Sequence, residues 1–557
     1  MNLTHTQKIL LLIISIFIIY YPIIGTHISS LFDPYLIHFE QCELFIQHRF
    51  LDPELFRNDY FLEYKSRFSG MIGYNWLNRV LVGYFDIYII HKVIPIVLLA
   101  VTILAMGIAA WKLGGWYAAW TTSVLVLIHP IFSYQITSAI PHMFAYPFTA
   151  CFLAALVYGR VYMMGVIVVL SALFYPITAV VAGPTMAFYL LITNQKSRGE
   201  GKNWSLSKRF ILLLIVAAIP IWVVLSSLGK VDGYGEYIKP FTQTDIYPEV
   251  AESAKGGRHF YDSFMPVFYV LGKFLFKMYV YDSIDVFINL TLFFITMFVC
   301  FYGFRLFCKD LSNAVSKDRL QAFLWSILML LVICYFSFYS YYYRLLIYIL
   351  PLIYCLVLPV SLNAVIKDNR LARSVLPNID SRFIVVILTI VFSLQINSTD
   401  LESNGYHSFS DEYKAGYEHI KTTDKDSMIA GWPNRRGFIE FVPYLAKRKA
   451  FITLKFHEPF YHDFIMEMRS RMYALTDAYL ATDMEAIYNL RDKFGVDYLV
   501  VELDYFRNDK PPYYFNPFSK KIEELWMEGK GKFILPKLYD KAVFSHGNFY
   551  VLDLHKL

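Results

Sequence analysis

The chain has 557 residues, of which 57% are hydrophobic, 18% aromatic and only 17% charged, and its mean hydropathy is +0.42. That is too apolar for a soluble multidomain protein and fits the polytopic membrane class. The net charge of +6 does not indicate a nucleic-acid partner, because the basic residues fall in short clusters between apolar runs, as the positive-inside rule asks, and form no groove-sized basic face.

The chain opens on an apolar run, 8–26, with no small-x-small cleavage site after it, and reads as an uncleaved first membrane span. Further runs long enough to cross about 30 Å of hydrocarbon lie at 93–111, 116–134, 142–159, 161–175, 176–194, 210–229, 283–304, 322–339, 344–361 and 383–397, which makes about eleven spans. A cytoplasmic N-terminus puts Lys112, Arg160, the Lys196–Arg209 cluster, the Arg305–Arg319 cluster and the Lys367–Arg382 cluster all inside. Three segments then fall outside: a first loop, 27–92; a second, 230–282; and the C-terminal part, 397–557.

The first loop is acidic, with Asp33, Glu40, Glu43, Asp52, Glu54, Asp59 and Glu63 close together. Asp33-Pro34 in "FDPYLIHFE" is the residue pair that starts a helix, and Asp52-Pro53 repeats it, so two amphipathic surface helices are expected. On that view Glu40, seven residues after Asp33, shares its helix face. Asp33, just past a span, also suits a general base facing a cavity, and the two roles are compatible. Glu40 is a candidate for positioning an acceptor or a metal.

His129 lies within the third run, and His142 in "SAIPHMFAYPF" opens the fourth from the outside. Each is either an interfacial polar group or a functional one. The second outside loop carries Arg258 and His259 in "SAKGGRHFYDSF", a turn that closes over a phosphate or an ordinary polar loop. Arg344 in "SYYYRLLIYILPL" is a permanent charge at the outer end of a span: it either snorkels to headgroups or clamps a lipid phosphate. The six cysteines show no C-x-x-C pair, and none follows Cys355.

From about residue 397 the sequence changes character and reads as a compact α/β domain. "SDEYKAGYEHI" is a capped helix, "SMIAGW" and "AFITL" are strands, "DMEAIYNLRDKF" is a helix, "VDYLVVE" a buried strand, and "KAVFSHGNFYVLDL" a hairpin turning at His546-Gly547-Asn548. "GWPNRRGF" puts Trp432 and two arginines in one turn after a strand, an acceptor-binding loop or a structural turn. The dinucleotide, P-loop, zincin and nucleophile-elbow motifs are all missing, so direct use of a nucleotide is not indicated.

With these parts assembled, the chain resembles the GT-C superfamily of polytopic glycosyltransferases, which includes oligosaccharyltransferases, protein mannosyltransferases and aminoarabinose transferases. The likeness rests on the acidic residue after the first span, Asp33; on the rhythm of spans between His91 and Arg160; on "RLLIYILPL", similar to an Arg-Tyr-x-x-x-x-x-Pro theme with Leu345 where Tyr is usual; and on "KFGVDYLVVELDYF". The sequence departs from the pattern in having His142 where many members carry a second acidic residue, and in lacking the W-W-D motif of the oligosaccharyltransferases. The resemblance implies a transmembrane domain, 1–396, with about eleven helices, and an extracytoplasmic α/β domain, 397–557, in the cytoplasmic membrane. It also implies transfer of a sugar from a polyprenyl-phosphate carrier to a glycan, lipid or protein hydroxyl, with inversion. Asp33 is the base, Arg344, Arg258 and His259 hold the lipid phosphate, and Glu40 and His142 line the substrate site. A divalent cation, Mg or Mn, would draw on Asp33, Glu40 and Asp59. The other classes that fit are a polysaccharide polymerase or O-antigen ligase, and a non-catalytic transport or assembly protein.

Overall fold

The computed structural model describes residues 28–61, 63–64, 71–197, 233–238, 245–251, 326, 343–367, 405–455, 457 and 461–557. Eight apolar or mixed helices come first: α1 (Ile72–Val82), α2 (Ile87–Gly114), α3 (Trp116–Ile128), α4 (Pro130–Thr137), α5 (Ala145–Tyr158), α6 (Val161–Phe174), α7 (Pro176–Ser197) and α8 (Tyr343–Lys367). Asp86 starts α2 by accepting the Tyr88 amide at 2.8 Å. The helix ends where Gly115 turns the chain at φ +80°, a conformation that favours glycine.

Among the described residues, three stretches are long and apolar enough to cross a membrane: Ile87–Gly114, Pro141–Tyr158 and Tyr348–Val365. Along α2 the side chains of Ile89, Val93, Val97, Leu104 and Ile108 are exposed at helical spacing, a stripe that hydrocarbon would solvate and water would not. The opposite face, with Leu99, Ile103 and Met106, is buried against α3, α5 and α8. The runs at 161–175 and 176–194 correspond to α6 and α7, and 344–361 lies in α8.

The run 116–134 is not one span. His129 precedes Pro130, which disfavours helical backbone at residue 129; it sits at φ −77°, ψ 115°, and its Nδ1 accepts the Ile131 amide at 3.2 Å. The chain therefore stops α3 and restarts as α4. The expected spans at 8–26, 210–229, 283–304 and 383–397 lie outside the described residues, as does that at 322–339 apart from Ser326.

The first loop also departs from expectation. Asp33 starts no helix: its Oδ1 accepts the Tyr35 amide at 2.8 Å and its carbonyl accepts Leu36 N–H at 3.2 Å, a local turn that competes with helix formation. The turn leads into strand β1 (Leu36–His38), paired antiparallel with β2 (Tyr406–Ser408), and then into a 3-10 helix, Phe39–Phe50. The Ile37 side chain is β-branched and fully buried, which suits an extended segment. Asp33 and Glu40 therefore stand beyond opposite ends of a strand and do not share a helix face. Asp52 likewise forms a turn, accepting the Glu54 amide at 3.2 Å. The 3-10 helix packs into the protein, where Gln41, Cys42, Leu44, Phe45, Gln47 and His48 are all buried, instead of presenting a free apolar face.

The C-terminal part is a five-stranded sheet in the order β4-β3-β5-β7-β6, built from β3 (Met428–Ala430), β4 (Lys449–Ala450), β5 (Tyr498–Glu502), β6 (Phe544–His546) and β7 (Phe549–Asp553). β3 is parallel to β4 and β5, while β7 runs antiparallel to β5 and β6. Helices α9 (Asp411–Lys421), α10 (His462–Tyr479), α11 (Glu485–Phe494) and α12 (Phe518–Gly529) accompany it. The helix in "SDEYKAGYEHI" is capped by Ser410 Oγ, and the hairpin turns at His546-Gly547-Asn548, as the sequence indicates. Of "AFITL" only Ala450 belongs to β4; the Phe451 amide still donates to the Ile429 carbonyl of β3 at 2.8 Å, and the Leu454 and Lys455 amides then turn to Glu440.

Candidate functional site

The site grows from the start of the 3-10 helix. His38, in extended conformation, accepts the Glu40 amide on Nδ1 at 3.1 Å and so caps that helix. The cap directs the Glu40 side chain, 16% exposed, toward the start of the span Pro141–Tyr158. There Glu40 Oε2 meets His142 Nε2 at 3.4 Å. His142 Nε2 is also 3.0 Å from Ser138 Oγ, whose single proton goes to the Gln135 carbonyl at 2.7 Å. Ser138 Oγ and Glu40 Oε2 thus stand beside the same ring nitrogen, His142 Nε2. The His142 ring packs near Tyr348 of α8, with centroids 6.0 Å apart.

A third group comes from the C-terminal sheet unit. Lys455 Nζ lies 3.7 Å from Glu40 Oε1 and 2.9 Å from Glu43 Oε1. It also stands 5.4 Å from the centre of the Phe39 ring, which the exposed Arg435 approaches to 4.8 Å. Burial alone would raise the Glu40 carboxyl, but Lys455, His142 and His38 outweigh it and hold the group below its ordinary range. Burial would lower the Lys455 ammonium, and the Glu43 and Glu40 carboxylates instead hold it up. His38 is driven down to about 3 by burial, with His142, Lys455 and Arg435 adding to the effect and Glu40 opposing it. The site thus holds an ionised carboxylate, a neutral capping imidazole and a charged ammonium.

The structure brings two of the sequence-derived candidates together, Glu40 and His142. The side chain of Asp33 folds back on the Tyr35 amide, and its carbonyl accepts from Lys92 at 2.6 Å. Asp59 is buried in the turn after the 3-10 helix. Arg344 belongs to α8, one turn before Tyr348, and its side chain lies outside the described residues, as do Arg258 and His259. Among the described residues no three His, Cys, Asp or Glu side chains group as metal ligands. Asp33, Glu40 and Asp59 do not fit a shared cation, since Asp33 and Glu40 stand beyond opposite ends of β1 and Glu40 already faces an ammonium. Sequence reasoning missed Lys455. Its one signal was a lone lysine closing the buried run Ala450–Thr453, with acidic partners more than four hundred positions earlier.

Solved structures of the oligosaccharyltransferase from Archaeoglobus fulgidus, a member of the GT-C superfamily, are similar to this chain. The apo form is 11% identical, with 90% of this chain and 70% of that chain covered, at a TM-score of 0.49. The same archaeal enzyme, AglB, in complex with an inhibitory peptide and a dolichol-phosphate is 12% identical, with 98% and 74% covered, at 0.49. Its complex with Zn and sulfate is 10% identical, with 88% and 68% covered, at 0.46. No protein-family model and no curated protein matches the chain.

Proposed function

We propose that the protein is a membrane glycosyltransferase of the GT-C type, moving a sugar from a polyprenyl-phosphate carrier to an extracytoplasmic acceptor hydroxyl. The observation that carries this reading is the contact of Glu40 with His142 and Lys455, at the meeting of the first loop, an apolar span and the C-terminal unit. An ionised carboxylate there can take the acceptor's proton as its oxygen bonds to the anomeric carbon. The bond from that carbon to the phosphate oxygen breaks on the opposite face, so the centre inverts and the lipid phosphate leaves as an anion. His142 stands beside the carboxylate, with Nε2 3.4 Å from Oε2, and limits where it can turn. Arg435, exposed beside Phe39, supplies a cation for the departing phosphate, alongside Arg344.

Two carboxylates compete for the role of base. Asp33 satisfies the family resemblance, whereas Glu40 has the polar company a base needs. With labelled polyprenyl-phosphate sugar and purified protein, Glu40→Gln is expected to lower turnover by about 10²–10⁴-fold while leaving the chain monodisperse. A comparable loss in Asp33→Asn with Glu40→Gln near normal would move the base to Asp33. Full turnover in both variants would sink the base assignment altogether.

A further inference from the structure

Paired carboxylates near a membrane surface ordinarily invite a divalent cation. Here that place is taken. Lys455 Nζ contacts both Glu40 and Glu43, at 3.7 and 2.9 Å. A metal ion bound to the same oxygens at the usual distances of about 2.0–2.6 Å would press against the ammonium and repel it. The lysine is also not loosely placed. It comes directly after the buried stretch Phe451–Thr453 and Leu454, and the amides of Leu454 and Lys455 both donate to Glu440, at 2.5 Å to Oε1 and 2.9 Å to Oε2. Glu440 is itself 1% exposed, so a buried carboxylate fixes the backbone from which the ammonium reaches the site.

We infer that Lys455 is a resident cation, delivered by the C-terminal unit, that stands between Glu40 and Glu43 in place of a divalent metal ion. Docking of that unit on the first loop brings this positive charge to the two carboxylates, which makes Lys455 a positioning residue for Glu40. The consequence for sugar transfer rests on the glycosyltransferase reading; the exchange of ammonium for metal does not. A chain built this way transfers sugar without added metal and tolerates chelators.

The test is a Mn²⁺ titration of the full-length chain in detergent micelles, followed by the EPR signal of free Mn²⁺. The variants are Lys455→Gln, Lys455→Arg, Glu40→Gln and the double variant Lys455→Gln/Glu40→Gln. Wild type and Lys455→Arg should bind no more Mn²⁺ than Glu40→Gln does. Lys455→Gln should gain one site, at least about a hundredfold tighter than that background, because a unit charge a few ångströms away has been removed. The double variant should lose the site again. Mn²⁺ binding by wild type that Glu40→Gln abolishes would overturn the inference, and so would a monodisperse Lys455→Gln that gains no site. Should Lys455→Gln fail to fold, the comparison of wild type with Glu40→Gln still decides: equal binding supports the resident cation, and a wild-type excess refutes it. A chain with no transferase activity at all would defeat the functional reading while leaving the Mn²⁺ result standing.

Discussion

Glu502 closes β5, and its Oε2 accepts the Tyr413 hydroxyl at 2.6 Å. Burial drives its carboxyl up to about 7; the Tyr413 hydrogen bond opposes the rise, and Asp504 and Glu412 add to it. The folded chain therefore keeps a proton that the unfolded chain, with an ordinary value near 4.5, gives up earlier. Stability from this group is fully present below about 4.5 and is lost as pH rises toward 7. Glu502→Gln keeps the acceptor for Tyr413 and removes the titration. It should raise stability above pH 7 by about 1–3 kcal/mol and leave it nearly unchanged at pH 4, as melting temperatures at the two pH values will report. "VDYLVVE" was legible as a buried strand from its β-branched run, though only Tyr498–Glu502 of it forms β5. That its last residue is a perturbed acid was not, because its hydrogen-bond partner, Tyr413, belongs to a helix 89 positions away. Lys455 escaped notice for the same reason: its partners come from the other end of the chain.

At the scale of elements, the helices were legible wherever local chemistry and periodicity agree. Ser410 before α9 and Gly495 after α11 are cap signals, and both elements form where they point. Asp33-Pro34 shows the limit. The same pair that can start a helix also makes a turn, and the choice was settled by a strand partner, β2, that no local signal names. That pairing depends on Gly405. Its φ is +83°, and a Cβ there would run into the imidazole of His38, the residue that caps the 3-10 helix and thereby aims Glu40. Gly405→Ala should therefore cost at least about 1–2 kcal/mol for the left-handed backbone alone. It should also loosen β1 from β2. Limited proteolysis that cuts near residue 405 faster in the variant, together with a lower melting temperature, would bear this out; unchanged protection would show that β1 and β2 do not depend on this close approach.

For the whole molecule, the decisive feature is how the C-terminal unit sits on the first loop and the span starts. Tyr444 gathers the contact: its carbonyl accepts from His48 Nε2 at 2.8 Å and from the Tyr88 hydroxyl at 3.0 Å, and its own hydroxyl is 2.9 Å from His91 Nδ1. Lys425 adds an ion pair to Asp52 at 2.6 Å. His48 and His38, both on the first loop side of this junction, are held neutral. Burial pushes His48 down to about 3, helped by Lys447 and opposed by the bond to Tyr444, and burial does the same to His38. Protonating His48 would leave a charged N–H at Nδ1, which is buried without a partner, and protonating His38 would break the cap on Glu40. Both folded values lie below the ordinary 6.5, so between those limits the unfolded chain binds the extra protons. Stability must then fall as pH drops from about 6.5 toward 3, by about 1.4 kcal/mol per pH unit for each histidine. Glu502 slopes the other way in part of that range, so the measurement belongs in the Glu502→Gln background. There, in urea unfolding between about pH 5 and 6, above the ordinary carboxylate values, stability should fall as the pH is lowered. His48→Gln, which retains a donor for the Tyr444 carbonyl, should reduce that slope by about 1.4 kcal/mol per pH unit. A slope that His48→Gln leaves intact would mean that the junction does not hold this imidazole neutral, and that the acid sensitivity of the docked state arises elsewhere.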